Sequence, residues 1–258
     1  MTEPSNKTIL LLDVEGSGSR RDTEVSVIRR MSYAVLHETL SAASVEPTEY
    51  RCEDRGDGMF ILIDPSVPKP ALIRALLTTA ADRLVSNNRL ASPGAQIRMR
   101  MVLHTGEVAL DEYGAIGGDV VHAFRLLDSP RLKEALRATS EPSVLCVSDA
   151  VHRGVVRHAH PGVRPEHFHL FTAKSKEGPT LKGWYHDSTV SQAEGDPERA
   201  GEETASPPSS GLVTPPAPEP PASAPTPQAN TGNFFLGTVH FGGDAVAGDK
   251  HMHGRAGR

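Results

Sequence analysis

With 258 residues, the chain has room for one large or two small domains. A hydrophobic share of 38% with only 5% aromatics is low for a chain folded throughout, so part of it is expected to lack a core. The net charge of −5 argues against the basic surface that a nucleic-acid partner needs, and the two cysteines, Cys52 and Cys146, support neither a disulfide framework nor a CxxC metal site.

In chain order, Glu3 and other polar residues precede an apolar run too short for a signal peptide, and no stretch reaches membrane-spanning length. The expectation is a cytoplasmic protein with no membrane partner. Thr8 to Val14 reads as a strand buried on both faces, interrupted by Asp13 and followed by Gly16-Ser17-Gly18-Ser19. Val25, Ile28, Met31, Val35 and Leu36 recur at helical spacing, which predicts a helix to about Ala43. Glu49–Cys52 and Gly58–Ile63 form the arms of a hairpin whose turn carries Gly56-Asp57-Gly58. Pro70 suits a helix start, and Leu72, Leu76, Leu77 and Leu84 predict one helix over Ala71–Val85.

Ile97 to His104 alternates as a strand, Thr105-Gly106 is expected to turn, and Glu107 to Leu110 to return. Gly117-Gly118-Asp119 opens a helix through Leu127, and Pro130–Ala138 a further one. Ser143–Val147 reads as a strand with Ser148 capping the next helix, and Phe168–Thr172 with Thr180–Tyr185 as a last antiparallel pair. Strands and helices mix without a strict βα repeat, which predicts an α+β fold: a mixed, mainly antiparallel sheet of ferredoxin-like, palm type with flanking helices. The folded domain is expected over 1–190. Residues 191–230 hold roughly half of the 21 prolines and read as a disordered Pro/Ala/Ser-rich linker; residues 231–258 form a Gly-rich interaction motif.

Two aspartates at the ends of neighbouring strands, Asp13 and Asp57, beside the Gly16-Ser17-Gly18 loop, suit a divalent metal and a polyphosphate. Mg²⁺ takes oxygen ligands, and backbone N–H groups at a helix start attract phosphate. The 12 histidines cluster largely over His152–His169 and in the tail, at spacings that suit no tetrahedral zinc set.

On these residues, about Lys7 to Asp187 resembles the class III nucleotidyl (adenylyl/guanylyl) cyclase catalytic domain, as a divergent bacterial member. The matching features are Asp13 with Gly16, Gly56-Asp57, the Arg100 to Gly106 strand ending His-Thr-Gly, and Gly117 to Arg125. The resemblance implies a homodimer with sites at its interface, making a 3′,5′-cyclic nucleotide and pyrophosphate from a nucleoside triphosphate for signalling. It implies two Mg²⁺ or Mn²⁺ ions held by Asp13, Asp57 and the Val14 carbonyl. Arg100 and Lys174 would contact phosphate. Arg125 would stabilise the transition state in the partner's site, with a helix-surface ion pair as its rival role. The asparagine that the family carries four residues before that arginine falls on Val121, or on His122 in the adjacent register.

By the same resemblance, Glu53 and Gly114 would take the base-reading positions; Glu53 would favour guanine over adenine, while Gly114 fits neither pattern and a pyrimidine stays open. The tail resembles bacterial amyloid-signalling motifs, which implies a partner with a matching motif; a Gly-rich end with no role is the alternative. Against the enzyme stands a catalytically weak or inactive cyclase-like adaptor that dimerises or binds nucleotide and signals through its tail. Val121 favours that alternative.

Overall fold

A computed structural model describes residues 1–173 and 180–189. The predicted linker over 191–230, the tail motif over 231–258 and Lys174 lie outside the described residues. Strand β1 (Ser5–Val14) leads through a 3-10 turn at Ser17–Ser19 to helix α1 (Asp22–Ala42), then to the hairpin β2 (Tyr50–Asp54) and β3 (Gly58–Ile63). Helices α2 (Lys69–Leu77) and α3 (Thr79–Leu90) precede the long strand β4 (Met99–Asp111) and the short β5 (Gly114–Ile116). Helices α4 (Gly118–Leu127) and α5 (Pro130–Ala138), strand β6 (Ser143–Ser148), helix α6 (Asp149–Gly154), and the pair β7 (Phe168–Ala173) and β8 (Leu181–His186) complete the order.

The sheet runs β2-β3-β1-β4-β6-β8-β7, with β5 paired to β4 off this path. Every pairing is antiparallel except β4 with β6. This is the expected α+β class. β1 holds the sheet together because both its edges are paired, to β3 and to β4. Its side chains alternate between two cores. Leu10, Leu12 and Val14 pack with Ile28, Val35, Leu36 and Leu40 of α1 and Leu72, Ile73 and Leu76 of α2. Ile9 and Leu11 face the opposite way, towards Val120, Ala123 and Leu126 of α4 and Leu132 and Leu136 of α5. Asp13 follows the odd-numbered positions and so stands on the α4 side.

Two predicted elements differ from the structure. The single helix over Ala71–Val85 is two helices, because Thr78 leaves helical geometry at φ −112° and ψ −73°. The Thr78 N–H makes the last regular bond of the turn to the Arg74 carbonyl, and the Thr78 hydroxyl donates to the same carbonyl at 2.9 Å, a side-chain bond that bends the helix there. Thr105-Gly106 is not a turn either. β4 runs straight through it, pairing Thr105 with Thr8 and Gly106 with Lys7. Gly106 answers a close approach instead: a Cβ there would lie 2.1 Å from Asp119 Cγ. The real turn follows Asp111, whose carboxylate accepts from the N–H groups of Tyr113 and Gly114 at 2.8 and 3.0 Å. Ser148 caps α6 as expected, accepting from Val151 N–H.

Gly58 brings β3 hard against β1, since a Cβ there would sit 2.6 Å from the Leu12 carbonyl oxygen. Gly58→Ala is therefore expected to cost about 1–3 kcal/mol of stability in urea denaturation, as the paired backbones are forced apart. His186 is packed edge-on to Phe168 at 5.2 Å, and burial, with help from neighbouring His167 and His169 and against Asp187, lowers its pKa to about 4. A histidine with a lowered folded pKa stabilises fully above its unfolded value of about 6.5 and less as pH falls through the folded one. Stability is thus expected to decline between about pH 6.5 and pH 4. The decline should be shallower in His186→Phe, as read by thermal denaturation across pH.

Candidate functional site

Asp13 is the penultimate residue of β1 and pairs across the ladder with Gly58 on one side and Arg100 on the other. Asp57, next to Gly58, is thereby brought beside it. The Val14 N–H donates to the Asp57 carbonyl at 3.2 Å, and the Ser17 hydroxyl donates to Asp57 Oδ2 at 2.6 Å. The two carboxylates sense each other: burial raises the Asp13 pKa, Arg100 opposes the rise, and Asp57 and Asp128 add to it. This pair, separated widely along the chain, meets at the end of the central strand.

The Gly16-Ser17-Gly18 loop turns tightly over the pair. Gly16 is left-handed at φ 70°, and a Cβ at Gly16 or Gly18 would meet nothing within 4 Å, so the loop faces open space. Its link to the helix start differs from expectation. α1 begins at Asp22, beyond the 3-10 turn, and its first turn carries Asp22 and Glu24. The Glu24 carboxylate accepts from the Arg21 N–H at 3.1 Å, which fills that helix start with negative charge. Any phosphate contact from this loop comes from the turn rather than from the α1 terminus.

Arg100 is placed differently from a free phosphate ligand. Its guanidinium forms an ion pair with the Asp13 carboxylate, and the two side chains are 13% and 18% exposed. The strand register alone puts these two residues opposite each other. Arg100 therefore stands at the carboxylate pair as its cation.

Glu53 and Gly114 do come together. A Cβ on Gly114 would lie 3.6 Å from Glu53 Oε2, and Gly114 adopts φ 130°, a left-handed value suited to glycine. Glu53 is flanked by Arg51 at 3.3 Å and Arg55 at 3.1 Å. Arg55 in turn lies over Phe60 and Phe124 at 5.5 and 6.0 Å. On α4, Val121 and Arg125 are four residues apart and share a face. Val121 is 48% exposed, whereas His122 turns inward, its ring 4.6 Å from that of His104. The position sharing Arg125's face is thus Val121, not His122.

Sequence reasoning missed one cluster. His104 of β4 and Asp119 and His122 of α4 each offer a ligand atom within 4.8 Å of the other two. A histidine in a strand and an Asp-x-x-His step on a following helix were visible, but only the register of β4 under α4 joins them. Burial lowers the pKa of both histidines and favours neutral rings.

Beside Asp57, between α1 and the β2–β3 turn, lies a cleft of about 30 Å³ lined by Val14, Ser17, Tyr33 and Asp54 among others. That is space for about one water, against about 300–1,000 Å³ for a small-ligand pocket. No helix among the described residues is long and apolar enough to cross a membrane.

No family model matches the sequence, and no curated protein matches it. Solved structures do. The guanylyl cyclase Cya2 aligns at TM-score 0.51 and 15% identity, over 72% of this chain and 94% of its own. An adenylate/guanylate cyclase/hydrolase from Silicibacter pomeroyi aligns at 0.50 and 19%, over 72% and 98%. A bacterial light-regulated adenylyl cyclase aligns at 0.52 and 16%, over 75% of this chain and 55% of its own. The described residues share their fold with adenylyl and guanylyl cyclase domains.

Proposed function

We propose that this chain is a nucleotidyl cyclase, converting a nucleoside triphosphate to a 3′,5′-cyclic nucleotide and pyrophosphate as an intracellular signal. The observation that supports this reading is the approach of Asp57 to Asp13 at the end of β1, where the Val14 N–H and the Ser17 hydroxyl both donate to Asp57 and Asp57 helps to raise the Asp13 pKa. Two carboxylates and the Val14 carbonyl are a hard oxygen set, which fits Mg²⁺ or Mn²⁺. A pair of such ions would supply charge neutralisation at the triphosphate and activation of the ribose 3′-hydroxyl. The remaining roles fall to side chains. The Gly16-Ser17-Gly18 turn offers N–H groups to the phosphates, and Lys174 a further cation. Arg125, half-buried on α4, would neutralise charge that develops at the phosphate in a second copy's site. Glu53 would accept from the N1–H and N2–H₂ groups of guanine beside Gly114.

We infer a homodimer from the resemblance, and the small cleft beside Asp57 supports it. At about 30 Å³ the cleft beside Asp57 does not enclose a nucleotide, and the Val121–Arg125 face of α4 from another copy would supply a second surface. The 1–190 cyclase domain, the 191–230 linker and the 231–258 motif complete the reading, with the tail engaging a partner that bears a matching motif.

Incubating purified protein with Mn²⁺ and each of the four nucleoside triphosphates tests this. Cyclic product from one of them is expected, with loss of at least about 100-fold in Asp57→Ala. Binding without product under all conditions would sink the enzymatic reading.

The adaptor reading has two observations in its favour. Val121 replaces a polar side chain on the Arg125 face, and Arg100 already neutralises Asp13. Both are open to measurement. Arg100→Gln removes a positive charge beside the carboxylates and is expected to tighten Mn²⁺ binding by about fivefold or more, as read by the free-ion EPR signal. Val121→Asn restores a polar contact towards a ribose and is expected to raise kcat by about tenfold. A cyclase with no gain in that variant would refute the orienting role given to this position.

A further inference from the structure

We propose that His104, Asp119 and His122 form a second metal site, distinct from the Asp13–Asp57 pair, that binds a divalent transition ion such as Zn²⁺ and ties α4 to β4. The three residues offer ligand atoms within 4.8 Å of one another. His104 Nε2 and Asp119 Oδ1 stand 3.2 Å apart. Ligands around a tetrahedral zinc ion, with bonds of about 2.0–2.1 Å, are separated by about 3.3 Å. The His104–Asp119 spacing suits an ion as well as a shared proton, and the wider separations in the group close by rotation of the His122 ring onto the ion.

Two further features point to a ligand. The His104 ring is 2% exposed, and beside it the buried His122 Nε2 has no hydrogen-bond partner. A proton between His104 and Asp119 leaves the His122 nitrogen unmet, whereas an ion among the three takes it as a ligand. The carboxylate is held in place: the Glu107 N–H donates to Asp119 Oδ2 at 2.7 Å, leaving Oδ1 turned to His104. Such an outer hydrogen bond fixes a ligand's orientation. Gly106 makes the arrangement possible, since a side chain there would overlap Asp119.

Two imidazoles and one carboxylate select zinc-like ions over Mg²⁺, which takes oxygen donors and keeps its waters. Three protein ligands leave a fourth position for water. The site lies one turn before Arg125 on α4 and four residues beyond Arg100 on β4. An ion here therefore fixes the helix that carries one candidate phosphate-binding arginine on the strand that carries the other.

The test is Zn²⁺ binding to the full chain after chelator treatment, by calorimetry and thermal denaturation. Because the other histidines also attract zinc, the comparison is between wild type, His122→Gln and Asp119→Asn, with Asp57→Asn as a control at the Mg²⁺ site. Saturation at about 100 times Kd is expected to raise the wild-type Tm by about 5–10 °C. Asp57→Asn should keep this response, while each ligand variant, folded as judged by circular dichroism, should lose at least about 100-fold in affinity. Co²⁺ should give a tetrahedral visible spectrum in wild type and not in Asp119→Asn. A wild-type Zn²⁺ response that persists unchanged in both ligand variants, or no stoichiometric Zn²⁺ in wild type, would overturn the site.

Discussion

A carboxylate at the end of a doubly buried strand needs a cation. Asp13 lies on β1 between β3 and β4, where burial raises its pKa, and Asp57 beside it raises the pKa further. In the protein alone that demand is met by Arg100, fixed opposite by the register of β4. The same demand makes the spot attractive to Mg²⁺ or Mn²⁺. Whether ion and arginine share the carboxylate or exchange on it is the physical question that separates the enzyme from the adaptor. The chemistry around it, from the Ser17 bond to Asp57 to the turn at Gly16, is arranged with reference to this one pair of charges.

Two faces of one sheet divide the labour. On one side, α1 and α2 pack against Leu10, Leu12 and Val14 and form the larger core. On the other, α4 and α5 cover Ile9 and Leu11. Asp13, Arg100, Glu53 and His104 all belong to the α4 side by strand alternation, as do the aromatic pair Phe60 and Phe124, 5.8 Å apart. α4 thus works in two directions. Its inner face carries Asp119 and His122 to β4, while its outer face leaves Val121 exposed and Arg125 half-buried.

The comparisons agree with this picture at the level of the fold. Identities of 15% and 19% over 72% of the chain go with a shared fold and few shared side chains. Val121 lies on the exposed face of α4, where it contributes little to the core, so folding places little constraint on its polarity.

Much of this was readable from residue order. Alternation and helical spacing located β1, α1, the β2–β3 hairpin and the closing pair, because each is a local pattern with one solution. The same logic placed Asp13 and Asp57 at strand ends beside a glycine loop. It failed where a residue's reason is distant: Gly106 looked like a turn but makes room for Asp119, and the Thr78 break hides in an unbroken leucine stripe. What the sequence by itself determined is the set of strands, helices and charged ends, since these follow from side-chain size, polarity and period. Only the tertiary structure decided that Arg100 faces Asp13, that Glu53 meets Gly114 and that His104 joins Asp119 and His122. Strand register and helix placement are set by packing across the whole sheet, and no local pattern encodes them.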